Sequence, residues 1–103
     1  MKFLTFLLLK FLLLSNSVIA ETIPTKSKIL KEASYCIKDS QAQVCKKLVS
    51  EIEKLQLLVF DQNRFKCQSS LLGMQSAIIE AYYYKNSSNE RISFMIPYVI
   101  KNC

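Results

Sequence analysis

The chain has no histidine, no tryptophan, one glycine and two prolines in 103 residues. Without histidine it lacks the commonest general base and the usual activator of a serine or cysteine nucleophile. A lone glycine cannot build a phosphate-cradling loop. So little glycine and proline also leaves no room for a turn-rich β fold. No Cys-x-x-Cys pair occurs, which argues against a thioredoxin-like redox motif and a zinc knuckle. Carboxylates are few, and Glu51 and Glu53, two apart on a helix, do not face each other. The basic residues are scattered, with Lys46-Lys47 the only adjacent pair, which argues against nucleic-acid binding. These absences point to a protein that is not an enzyme and holds no metal and no cofactor.

What is present begins with a leader. Lys2 supplies a positive start, Phe3 to Leu14 is almost wholly apolar apart from Lys10, and Val18-Ile19-Ala20 precedes a cleavage point. The expectation is a signal peptide over 1–20 and a single mature domain over 21–103. The apolar run is well short of the ~20 residues a membrane span requires, so no stable span is expected after cleavage. Two of the 14 basic residues and none of the eight acidic ones lie in the leader, leaving a mature net charge of +4. That charge suits an anionic partner, and it equally suits plain solubility. An exported chain of this kind is expected in a periplasm or outside the cell.

Cys36, Cys45, Cys67 and Cys103 all fall in the mature part. An even count in a short exported chain reads as disulfides, and a domain this small needs such staples. The apolar spacing is helical throughout. A first helix is expected over 26–37, with Ile29, Ala33, Cys36 and Ile37 on one side. A second runs from a capping box at Ser40 and Gln43 to about Phe60, with Val44, Leu48, Ile52, Leu55 and Val59 as its stripe. After a break at Asp61-Gln62-Asn63, a third covers 64–85. It carries two apolar faces, Cys67, Leu71, Met74, Ile78 and Ala81 on one and Leu72, Ile79 and Tyr83 on the other, which predicts a central helix. Ser69, Gly73 and Ser76 form a strip of small residues on it. Ser87 and Glu90 suggest the cap of a fourth helix ending near Lys101, with Pro97 expected to kink or break it. Asn86-Ser87-Ser88 is a glycosylation sequon if the host is a eukaryote. The fold class is all-α: a small disulfide-stapled bundle of three to four helices.

Four cysteines allow three pairings. In antiparallel neighbours, Cys36 and Cys45 share one end of the molecule, and Cys67 and Cys103 the other. The alternatives would bridge roughly 20 Å of helix, far beyond disulfide reach. The expected bridges are Cys36–Cys45 and Cys67–Cys103.

The surplus is aromatic. Ile92, Met95, Ile96 and Val99 fill one side of the fourth helix while Phe94 and Tyr98 lie opposite. Tyr82, Tyr83 and Tyr84 are consecutive helical residues sweeping about 200°, so they cannot all be buried. Phe94, Tyr98, Tyr82 and Tyr84 are therefore the candidate interface. Three readings stand: a contact surface for a protein partner or a second copy, burial of Phe94 and Tyr98 beneath the first helix, or a pocket for an apolar ligand between the first and fourth helices. The functional expectation is a non-enzymatic binding protein, such as an inhibitor or immunity factor that covers a partner protein. The alternative is a carrier of a lipid-like ligand.

From Cys67 onward, about a third of the chain, the pattern resembles the periplasmic immunity proteins of type VI secreted amidase effectors, the Rap/Tai-type group. The shared features are a cysteine opening a helix, then Gln75, aliphatic residues and Tyr82-Tyr83, a polar loop with Glu90-Arg91, and an apolar helix ending in Cys103. Gln68-Ser69 stands where that family has Ile-Pro. The resemblance implies an all-helical, often dimeric protein that blocks an enzyme by covering its active site. It assigns no role to individual residues.

Overall fold

The computed structural model describes residues 23–84 and 89–103. The expected leader over 1–20, the Asn86 sequon and the Ser87 cap lie outside them. Among the described residues there are four helices: α1 (Lys26–Lys38), α2 (Gln43–Asp61), α3 (Phe65–Tyr83) and α4 (Asn89–Asn102). No helix among them is long and apolar enough to cross a membrane.

Each boundary has a local cause. Thr25 caps α1 by accepting the Lys28 N–H (3.2 Å) on its hydroxyl. Asp39 ends it, its N–H bonded to the Tyr35 carbonyl (3.0 Å). The expected capping box at Ser40 and Gln43 is absent. The N-cap of α2 is Ala42, with no side-chain cap bond. Asp39 organises this turn instead, its carboxylate accepting the Gln41 N–H (3.1 Å) and its carbonyl the Ala42 N–H (3.2 Å). At the other end of α2, Asn63 takes the left-handed conformation (φ 60°). The Asn63 and Arg64 N–H groups bond back to the Phe60 and Val59 carbonyls (both 2.9 Å). That bond pair is a Schellman motif, with asparagine in the place glycine usually holds.

The helices form a closed ring: α1 packs on α2 and α4, and α3 packs on α2 and α4. Asn89 Nδ2 donates to the Ile37 carbonyl (3.1 Å) and Lys26 Nζ to that of Ile100 (3.5 Å), so α1 and α4 run antiparallel. Gln41 Nε2 reaches the Ala81 carbonyl (3.2 Å) at the end of α3. Ile29, Leu48, Ile52, Leu71, Met74, Ile78, Ile92 and Val99 have no exposed surface and make up the core.

Three sequence expectations are corrected. The third helix is not central, since every helix has two neighbours. Its second apolar face is not a packing face either: Leu72 and Tyr83 are exposed and Ile79 is only half-buried. Gly73 lies on the side that meets α4, where a Cβ on it would stand 2.6 Å from the Met95 methyl. Pro97 does not break α4, which is continuous through it. The proline cannot bond the Ser93 carbonyl, and both residues lie on an exposed side of α4.

Both expected disulfides form. Cys36 and Cys45 have Cα atoms 5.4 Å apart, and Cys67 and Cys103 4.7 Å. No cysteine is free. Such bonds belong to an oxidising environment.

Candidate functional site

The α3 and α4 helices are antiparallel, tied at one end by Cys67–Cys103 and nearby by Asn102, whose amide donates to Ser70 Oγ (2.8 Å). At the other end Arg91 pairs with Glu80. Between these ties lies an open groove of about 400 Å³, lined by Lys66, Ser69, Ser70, Phe94, Met95, Tyr98 and Asn102. The small side chains of α3 keep its floor low. Ser69 and Gly73 offer no bulk, and Met95 lies down against Gly73.

Phe94 and Tyr98 form the rim. Four residues apart on α4, they share a face, with ring centroids 5.4 Å apart and planes tilted by 51°. They remain 64% and 45% exposed. α1 packs on α4 without covering them, so burial beneath the first helix is ruled out. The groove also lies between α3 and α4, which corrects the expectation of a pocket between the first and fourth helices. The cause is where α1 lies: its Lys26 meets the backbone at Ile100, on the other side of α4 from the rim.

The four candidate aromatics separate into two groups. Tyr82 and Tyr84 belong to the opposite end of α3, outside the groove. Tyr82 is half-buried against the core, its ring edge-on to Tyr83 at 4.9 Å, while Tyr84 is 70% exposed.

A second polar site was not foreseen. Glu32 of α1 and Glu51 of α2 are both buried, each with one carboxyl oxygen lacking a partner. Lys28 Nζ reaches both, at 3.9 Å from Glu32 and 3.4 Å from Glu51, and Lys47 adds a second contact to Glu51 at 3.4 Å. Burial, then a hydrogen bond to Glu51 and its charge, hold the Glu32 carboxyl above the ordinary range. Burial pushes Glu51 up as well, but hydrogen bonds from Glu32, Lys47 and Lys28 outweigh it and bring it below. The two carboxyls titrate as an interacting pair, in which Glu51 gives up its proton before Glu32. The only sequence signal was two lysine–glutamate pairs at i,i+4, Lys28–Glu32 and Lys47–Glu51. The pair faces the α1–α2 seam and does not line the groove.

The α2–α3 seam carries its own polar chain. Gln68 donates to the buried Gln56 (3.1 Å), Gln56 donates to Glu53 (3.1 Å), and Gln75 donates to Glu53 (3.1 Å) and to the Val49 carbonyl (3.0 Å). Glu53 and Glu51 therefore point to different neighbours. Comparison with family models, with curated proteins and with solved structures finds no match to this chain.

Proposed function

We propose that this chain is an exported, non-enzymatic binding protein that covers a partner protein with its α3–α4 face, as an inhibitor or immunity factor does, in a periplasm or outside the cell. The observation that carries this reading is the Phe94–Tyr98 pair, two neighbouring aromatics left open to solvent on the rim of a groove. Aromatic side chains dominate binding energy where they pass from water into a partner's pocket. Ile92 and Val99 on the core side of the same helix are fully buried, so the exposure is not a sign of loose folding. Two disulfides support the export assignment and a rigid presentation of the rim. The resemblance to amidase immunity proteins agrees with this reading. The groove is open and partly hydroxyl-lined, which suits a protein surface better than the enclosed apolar cavity of a lipid carrier.

Native mass spectrometry of protein purified from its own host tests the reading. A co-purifying protein that is lost on replacing Phe94 and Tyr98 by serine is the expected result. A co-purifying lipid, retained by that double variant, would overturn it. An adjacent gene for a secreted toxin would point to the partner.

A further inference from the structure

We propose that the α3–α4 groove receives a protein segment presenting a carboxylate beside an apolar side chain. This rests on the protein-binding reading above and names the chemistry of the partner. The groove divides by character along its length. Phe94, Met95 and Tyr98 supply an apolar wall, while Lys66 marks one end. Lys66 is the only charged side chain in the lining, and among the described residues its ammonium has no ion-pair or hydrogen-bond partner. Lys101, one turn beyond Tyr98 on α4, is likewise exposed and unpaired. No acidic side chain lines the groove. The acidic residues of α3 and α4 are Glu80, held by Arg91, and Glu90, at the opposite end of α4 from Lys101. Lys66 is also in the first turn of α3, which has no acidic residue and whose N-cap, Arg64, makes no side-chain cap bond. The α3 dipole adds positive potential there, but the C-terminus of antiparallel α4 lies at the same end and offsets it, so Lys66 supplies the charge.

The polar floor selects a protein segment over an anionic membrane. The Ser69 hydroxyl has no partner among the described residues and can bond a peptide group. Asn102 donates to Ser70 and keeps its carbonyl oxygen available. Acyl chains offer nothing to these groups. A space of about 400 Å³ accommodates one or two side chains, as an anchoring segment requires.

The probe is the peptide acetyl-Leu-Glu-Phe-Leu-amide, with counterparts carrying glutamine or lysine in place of glutamate. Each is titrated into the oxidised protein while backbone amide shifts are recorded. The glutamate peptide is expected to move the amides of Ser69, Ser70, Phe94 and Met95. The glutamine peptide should bind about two- to fivefold more weakly, the scale of an exposed ion pair, and the lysine peptide more weakly still. Lys66→Glu should abolish the preference and Lys66→Arg should keep it, with unchanged melting temperatures for both. Equal binding of all three peptides would overturn the carboxylate and leave the groove as a docking site. No shift in the groove with any peptide would overturn the groove reading as well. Binding to phosphatidylglycerol vesicles that is lost with Phe94→Ser would replace the protein segment by a membrane.

Discussion

Replacing Glu51 by glutamine should destabilise the protein near neutral pH, and replacing Glu32 by glutamine should stabilise it there. Glu51, whose carboxyl is held below the ordinary range, is contacted by two lysine ammoniums at 3.4 Å. Both lysines are at least half exposed, so each contact is worth only about 0.2–1 kcal/mol, and their joint loss about 0.4–2 kcal/mol. A domain of this size shifts by about 4–8 °C per kcal/mol, which places the Glu51→Gln melting temperature several degrees below the parent. Because the folded protein holds Glu51 below the ordinary carboxyl value of 4.5, its contribution is present above that value and fades as pH falls through the lowered one. Glu32 has the opposite sign. Its carboxyl is held above 4.5, so its stabilising contribution is complete below that value and is lost as pH rises through the raised one. At neutral pH the ionised Glu32 fits the fold worse than the unfolded chain. Glutamine keeps the shape without the charge, and its amide can donate a hydrogen bond to Glu51. It gives up the Lys28 contact at 3.9 Å, an i,i+4 pair worth about 0.3–0.5 kcal/mol. Thermal melts by circular dichroism near pH 7 and near pH 3 separate the two cases. Opposite shifts near neutrality, with the Glu51→Gln difference shrinking in acid, are expected. A Glu32→Gln variant less stable than the parent at neutral pH would refute the upward hold on the Glu32 carboxyl.

Phe94→Ser with Tyr98→Ser should leave the melting temperature nearly unchanged, whereas Ile92→Ala, at a fully buried site, should cost about 2–5 kcal/mol; a double rim variant that fails to fold would reject the exposed-rim account. Gly73→Ala should be close to neutral, because a helix-propensity gain of about 1 kcal/mol is offset by displacing the Met95 methyl, 2.6 Å from the new Cβ. In a Met95→Ala background the same change should stabilise by about 0.5–1 kcal/mol, read by urea denaturation. Removing Cys67–Cys103, with its sequence separation of 36, should cost more than removing Cys36–Cys45, with 9. The chain-entropy account gives about 3.8 against about 2.7 kcal/mol, again measurable by urea denaturation.

The helices and the cysteine pairing were legible because both follow from local rules. Apolar residues recur at helical spacing, and antiparallel neighbours bring Cys36 to Cys45 and Cys67 to Cys103. Contacts across the bundle were not legible. The spacing of Leu72, Ile79 and Tyr83 marks an apolar stripe, but whether a stripe meets a neighbour depends on how four helices close into a ring. Ser40 and Gln43 match a capping box in composition, yet Asp39 takes the turn with its own carboxylate. The aromatic surplus was visible in the sequence. The groove beneath it was not, because it arises where Ser69 and Gly73 of α3 face Met95 of α4. The Glu32–Glu51 pair depends on the α1–α2 crossing, and the sequence offers only the two flanking lysine pairs.

The two staples close separate rings of chain. One contains the α1–α2 turn, and the other contains most of α3 and all of α4. Only the stretch between Cys45 and Cys67 joins them. A single protease cut anywhere between Cys67 and Cys103 leaves both products covalently attached. One cut at Gln62-Asn63-Arg64 instead frees two halves that nothing but packing holds together. In a compartment that contains proteases, that exposed three-residue turn, tightened by the left-handed Asn63, is the non-helical part of the one stretch where a single scission parts the two stapled rings.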